Sequence, residues 1–392
     1  MSERTSAITL FRIFLGLGCT SFGGPVAHLG YFRHAFVVRR GWFDEATYAD
    51  IMALAQFLPG PASSQVGMMI GLARGGLLGM LAAWVGFTLP SALILGGFAY
   101  GVMAYGDVMG GGWLVGLKAA AAAVVAQALI GMARALAPDG PRAGLAALGF
   151  ITVLGLSHFL QAPVWAQIAA ILAGGLGGLM LCKPQGAQAS QSLTIPVGRP
   201  VAVAALILFA LLLLGPAAVT LSGMGDLADR FYRAGALVFG GGHVVLPLLQ
   251  AEMVESGFVA RDVFLAGYGA AQAVPGPLFT FATFLGASSG GVTGAVVATI
   301  IIFLPSMLLT VGALPFWSVV RQWPMMRRAL MGVNAGVVGL LGAAFYDPVL
   351  VSVIDRPGAI ALAALAFVAL SAWRVPPWAV VIGAGLVGAV LF

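Results

Sequence analysis

The hexapeptide Gln56-Phe57-Leu58-Pro59-Gly60-Pro61 recurs as Gln272-Ala273-Val274-Pro275-Gly276-Pro277, and each copy sits inside a long apolar run. The match extends to a whole order of punctuation. Phe22-Gly23-Gly24 pairs with Phe239-Gly240-Gly241, Gly41 with Gly257, and Leu89-Pro90-Ser91 with Leu304-Pro305-Ser306. Gly71, Gly75, Gly76 and Gly79 pair with Gly286, Gly290, Gly291 and Gly294, and Gly116-Leu117-Lys118-Ala119 with Gly332-Val333-Asn334-Ala335. The chain is therefore a duplication in which each copy carries helix breakers within apolar segments. Such a pattern belongs to membrane proteins whose permeation site lies between repeats.

Composition removes the soluble alternatives. Hydrophobic residues make up 60% of the 392 positions and charged residues 8%, against about 25% charged in ordinary soluble domains. The net charge of +6 is carried by few residues, mostly between apolar runs. It reads as an orientation signal, with no nucleic-acid partner implied. Cys19 and Cys182 stand alone, with no pattern for a metal or a disulfide. No nucleotide-binding loop, HExxH, GxSxG or intramembrane carboxylate pair occurs, so neither an enzyme nor a cofactor is expected.

Thirteen apolar segments can be marked between residues 10 and 392, several interrupted near their middles by FGGP, FGGGH, LPGP or VPGP. The organisation expected is a first repeat over residues 8–182, a polar linker over 183–199, a connecting transmembrane helix over 200–221 and a second repeat over 226–392. Charge bias at equivalent loops is reversed. Arg33, Arg39 and Arg40 in the first half face Glu252, Glu255 and Arg261 in the second, while Asp107 in the first faces Arg321, Arg327 and Arg328 in the second. By the positive-inside rule the halves have opposite orientation. The fold class expected is thus an all-α polytopic membrane protein of two inverted-topology repeats, with broken or re-entrant helices meeting near the bilayer midplane. Arg4, Arg12, Arg33, Arg39, Arg40 and Arg74 all lie on one side if the first two elements of repeat one enter and leave by the same face; the alternative is that all thirteen segments cross.

Pro59 and Pro61 remove two backbone donors and Gly60 permits a positive φ, so one helix must stop there and a new one begin. The amides of Ala62, Ser63 and Ser64 then lack intrahelical acceptors, as do those of Leu278, Phe279 and Thr280 after Gly276. Helix N-termini at membrane depth attract anions. In-register Gln56 and Gln272 strengthen that reading over a packing kink. The glycine pairs Gly23-Gly24 and Gly240-Gly241 serve equally well as an anion-binding concavity or as close helix crossings. Lys118 and its repeat partner Asn334 are polar groups in apolar segments; Lys118 either meets the substrate or reaches to the interface. Arg74 lines an entrance or is a solvated loop arginine. His28 and His243 take up protons or pack. Since no Asp or Glu is embedded in this region, an anion is favoured over a cation.

Together these motifs resemble the chromate ion transporter family in its long-chain form with two fused homologous domains. The resemblance rests on Ser21-Phe22-Gly23-Gly24-Pro25, Gly41-Trp42, Gln56 to Pro61, Val238 to His243, Gln272 to Pro277 and Gly332-Val333-Asn334-Ala335. It implies chromate efflux by a secondary transporter of the bacterial inner membrane, adds Ser21 to the candidate binding residues, and makes chromate or sulfate the partner. A passive anion channel is the alternative of a different class. Oligomeric state stays open, a homodimer being one option.

Overall fold

The computed structural model describes residues 4–105, 111–160, 163–183, 197–215, 222–239, 242–320 and 323–392, and the described residues form helices with no strand. The polar linker falls largely outside them. The first half contains α1 (Ala7–Thr20), α2 (Gly24–Arg33), α3 (Glu45–Phe57), α4 (Ala62–Tyr105), α5 (Gly112–Leu136), α6 (Gly140–Leu160) and α7 (Pro163–Leu181). After α8 (Arg199–Leu214) the order returns as α9 (Met224–Ala236), α10 (Val245–Met253), α11 (Arg261–Ala273), α12 (Phe281–Ala313), the short α13 (Trp317–Val320), α14 (Pro324–Ala344), the short α15 (Val351–Ile354), α16 (Pro357–Ser371) and α17 (Pro377–Leu391). Six helical stretches are long and apolar enough to cross a bilayer, and α1, α8, α16 and α17 are shorter apolar helices. The chain is an all-α polytopic membrane protein.

The repeated glycine quartet is a hairpin. Gly76 takes φ 65° and interrupts α4, and Gly291 takes φ 61° and interrupts α12. Each helix folds back on itself so closely that Gly71 lies against the backbone of Gly79, and Gly286 against that of Gly294, where any side chain would collide. The first limb of α4, about 21 Å long at 1.5 Å per residue, can cover only part of a bilayer of about 30 Å; the second, about 43 Å, can cross it. Pro90 and Pro305 lie inside the second limbs. Each deprives the carbonyl four residues earlier of its helical donor. Neighbouring helices approach these weakened turns: Gly18 of α1 packs on the Gly86 and Phe87 carbonyls, and Gly235 of α9 on the Ile302 carbonyl.

The preceding elements form two further hairpins in each half. In the first half the Thr5 amide donates to the Arg74 carbonyl at 2.9 Å, and the Arg74 guanidinium lies 4.7 Å from the centre of the Trp42 ring. Both ends of α1/α2, and both ends of α3 with the first limb of α4, therefore gather at the Gly76 turn. Tyr48 of α3 donates to the Leu29 carbonyl of α2 at 2.7 Å and ties the two hairpins together. α3 starts cleanly because the Asp44 side chain caps the Thr47 amide at 2.7 Å. In the second half α9 and α10 are joined instead by ions: Arg230 and Arg233 both reach Glu252, while Arg230 also pairs with Asp226 and Arg233 with Asp229. Gly291 sits beside the Tyr100 hydroxyl, near the end of α4 remote from Gly76, so the two hairpin turns lie at opposite ends of the bundle.

The halves exchange their next helices. Gly112 and Gly116 of α5 press on Gly388 and Ala384 of α17, and Gly332 of α14 presses on Gly174 and Gly178 of α7. Small residues are required because lipid offers no hydrophobic drive for helix association, and close backbone contact supplies the attraction. One equivalence fails. α11 packs along α5 and α17, with Gly269 against Leu117, whereas α3 makes no extended contact with α14 or α7. The α3 stripe Ala46, Ala49, Ala53 and Gln56 is exposed, while the corresponding Leu265 and Gly269 of α11 are buried.

Candidate functional site

The repeated breaks interlock across the halves. The Gly60 amide donates to the Val238 carbonyl at 2.6 Å, and the Gly276 amide to the Ser21 carbonyl at 2.9 Å. Val238 and Ser21 occupy equivalent positions, as do Gly60 and Gly276. Behind them, Gly60 abuts the Ser306 hydroxyl and Gly276 the Ser91 hydroxyl, again reciprocally. Both glycines take the positive φ their sequence position requires, 125° and 102°.

His28 connects the two sets of breaks. Its Nε2 lies 3.1 Å from the Ser21 carbonyl and its Nδ1 3.3 Å from the Ser63 hydroxyl. A carbonyl only accepts, so in the neutral ring Nε2 carries the proton and Nδ1 accepts from Ser63. Nearby, the Gln65 side-chain amide donates to the Pro59 carbonyl at 2.7 Å. The hydroxyls of Ser21, Ser64, Thr88, Ser306 and Thr310, together with Gln65 Oε1, are buried without a hydrogen-bond partner. Unpaired polar groups inside an apolar body are costly, and so many on repeated motifs mark a region built for polar contents.

Two cavities occur among the described residues, and one of them borders the breaks. The first, about 500 Å³, is lined by Gly23, Gly24, Gln127, Gln272 and Arg374 among others; its wall has no carboxylate. Gly23 and Gly24 take φ 94° and 75°, and α2 begins at Gly24 with no side-chain cap on its first turn. The other, about 940 Å³, is lined by His158, Gln167, Gln250, Glu255, Arg261 and Asp347 among others. It is mixed in charge, and Arg261 is already paired with Asp347 at 3.1 Å.

The structure thus brings together Ser21, Gly23, Gly24, Gly60, Ser63, Ser64, Gln272, Gly276 and Thr280 as breaks and their flanks. Other expected residues lie elsewhere. Gln56 is exposed on α3. Arg74 stacks on Trp42 at the open end of the first hairpins. Lys118 reaches Asp262 at 2.6 Å, a surface carboxylate on the first turn of α11. Asn334 is half-buried on α14 and lines neither cavity. Gly240, Gly241 and the His243 side chain lie outside the described residues. One expectation about amides needs correcting: after Gly276 the chain makes a tight turn over Leu278–Thr280, in which the Thr280 amide donates back to the Pro277 carbonyl at 3.0 Å. That donor is used locally because a 3₁₀ turn closes one residue earlier than an α turn. Arg374 and Gln127 were missed. Neither lies in a repeated motif, and Arg374 stands in a short loop whose only sequence signal is the following Pro376-Pro377.

Comparison with known proteins agrees with the motifs. A family model described as Chromate transporter matches residues 8–179 and 225–389. The chain is 29% identical to a chromate transport protein of Pseudomonas aeruginosa, over 98% of this chain and 92% of the relative. It is 30% identical to a probable chromate transport protein of Synechococcus elongatus, over 86% and 82% respectively. A chromate transport protein of Cupriavidus metallidurans is 27% identical over 98% of this chain and 92% of its own length. No solved structure matches. With its membrane-length helices this is a multi-pass protein of the bacterial membrane and a transporter by family, not an enzyme. With the family model matching both halves, the chain belongs to the chromate transporter family.

Proposed function

We propose that this protein is a secondary active transporter that moves chromate out of the cytoplasm, and that its halves are inverted repeats sharing one central site. The observation that carries the reading is the reciprocal pairing of Gly60 with Val238 and Gly276 with Ser21. A break in one repeat is completed by the break of the other, so the polar region belongs to both halves and lies on the axis between them. In inverted repeats such a site can be reached alternately from either face. The different packing of α3 and α11 is what one of two alternating states would look like. Sulfate has nearly the shape and charge of chromate, and a site of hydroxyls and backbone amides separates the two poorly. Sulfate is therefore a second substrate of the same reading.

The deciding measurement is flux of radiolabelled chromate and sulfate in everted vesicles under imposed proton and voltage gradients. Saturable flux that follows an imposed gradient is the expected result. An ohmic current without saturation makes the protein a channel instead.

A further inference from the structure

The cavity that ends on Gly23 and Gly24 has a single charged side chain on its wall, Arg374. Elsewhere in the chain Arg33 pairs with Glu45, Arg142 with Asp139 and Arg261 with Asp347. Arg374 has no ion-pair partner among the described residues, and no carboxylate lines its cavity.

Its backbone is also held in an unfavourable conformation. Among the described residues, Arg374 is the one non-glycine residue with positive φ, at 57°. Left-handed backbone costs a side-chain-bearing residue about 1–2 kcal/mol, so the surrounding contacts must impose it. Two of them are visible: the Val375 amide donates to the Ala369 carbonyl at 2.9 Å, and the Gln127 side chain donates to the Leu370 carbonyl at 3.3 Å. The loop joining α16 to α17 is thereby fixed to α5, with Arg374 on the cavity wall.

The rest of the wall suits a negative guest. The N-terminus of α2 opens into the cavity at Gly24, where two successive positive-φ glycines leave the backbone bare. Gln272 lines the cavity, and its side-chain amide, hydrogen-bonded to the Tyr268 hydroxyl, keeps a second N–H for a guest. The concavity thus holds one positive charge and no negative one.

We propose that this cavity is the loading site for the tetrahedral oxyanion, with Arg374 as its charged ligand and Gln272 and the start of α2 as further donors. The proposal rests on the oxyanion-transport reading above and names the residues of that site. A guanidinium offers two parallel N–H groups that match two oxygens of a tetrahedral anion, which an ammonium does not. One cation against a dianion leaves a net charge, so the anion is held and also released. A volume of about 500 Å³ leaves room for the anion with part of its hydration. The interlocked Gly276 and Ser21 lie a few residues inward along both chains, so loading here leads toward the centre.

The test uses the full-length protein and its Arg374→Gln, Arg374→Lys and Gln272→Leu variants in proteoliposomes, one set of neutral lipid and one containing phosphatidylglycerol. Chromate flux is measured against chromate concentration. The expected result is at least a 10-fold rise in half-saturating chromate for Arg374→Gln in both lipids, a smaller rise for Arg374→Lys, and a rise of several-fold for Gln272→Leu. Unchanged half-saturation in Arg374→Gln overturns the proposal, as does a defect confined to the anionic lipid, which would make Arg374 a headgroup contact. Chromate binding to the purified proteins is measured in parallel by calorimetry. If the parent binds chromate but moves none, the transport reading fails while the comparison of binding between parent and Arg374→Gln still decides the site.

Discussion

At Gly60 and Gly276 a single hydrogen in place of a methyl group serves two purposes, because the backbone needs positive φ and the partner half needs the space. The two positions are equivalent in sequence but unequal in room. A methyl at Gly60 would overlap the Ser306 hydroxyl and come within 2.8 Å of Gln65 Nε2; one at Gly276 would sit 2.9 Å from the Ser91 hydroxyl and 3.2 Å from the Phe87 carbonyl. Positive φ alone costs each alanine variant on the order of 1 kcal/mol, and the overlap adds to it. Gly60→Ala is therefore expected to lower the melting temperature more than Gly276→Ala, with both losing most chromate flux. Adding Ser306→Gly to Gly60→Ala should recover part of the melting temperature. Equal melting in all of these variants with parental flux would show that neither break touches the transport path. The positive φ was legible in the Pro-Gly-Pro pattern, since neighbouring prolines exclude a continuous helix whatever surrounds them. The identity of the opposing hydroxyls was not, because Ser306 and Ser91 reach these glycines from the other half of the chain.

α3 and α11 are equivalent elements in different surroundings. On α11 the stripe Asp262, Leu265, Gly269, Gln272 meets α5, and Lys118 clamps its first turn through Asp262. On α3 the same stripe reads Ala46, Ala49, Ala53, Gln56 and stands open. A glutamine side chain in contact with hydrocarbon is costly, so this face belongs against water or against α14. If the halves alternate, Ala53 should reach Val333, the repeat partner of Leu117. In a background lacking Cys19 and Cys182, the pair Gly269→Cys with Leu117→Cys and the pair Ala53→Cys with Val333→Cys are each expected to cross-link, and each to stop flux. Cross-linking of the first pair alone under every imposed gradient would argue against exchange. The clamp is separable from substrate contact. Lys118 is largely covered while Asp262 is exposed; if the lysine acts only through Asp262, Lys118→Met and Asp262→Asn should alter flux equally. A larger loss in Lys118→Met would mean that the lysine also meets the anion.

For the whole molecule the question is orientation. Arg40 and Arg74 gather at the Gly76 end of the bundle, around Trp42, and the Gly291 turn lies at the other end. A reporter fused after Arg40 is expected on the cytoplasmic side and one after Glu255 on the opposite side. Finding both on one side would overturn the inverted arrangement. The exchange of α5 and α14 between halves makes a second, independent demand. Gly332 is so close to the Gly174 carbonyl and the Gly178 backbone that Gly332→Val must push α14 off α7. Because this contact ties the halves together, the variant should lose membrane accumulation altogether, and accumulation at the parental level would show that the contact is dispensable.

The sequence by itself determined that the chain is a duplicated, all-helical membrane protein, because apolar length and helix breaking are properties of a segment and its neighbours. It also marked which positions are breaks, and through charge bias it pointed to opposite orientation of the halves. Tertiary structure alone decided which break meets which. The pairing of Gly60 with Val238 and of Gly276 with Ser21 joins positions more than 150 residues apart, and no local pattern encodes a partner at that distance. Arg374 came to share a cavity with Gly23 and Gly24 for the same reason, through a loop held by long-range contacts outside the repeated motifs. The difference between α3 and α11 lies further still from the sequence. Two copies of one element occupy two environments because packing over the whole bundle, not the local sequence, sets what each of them meets.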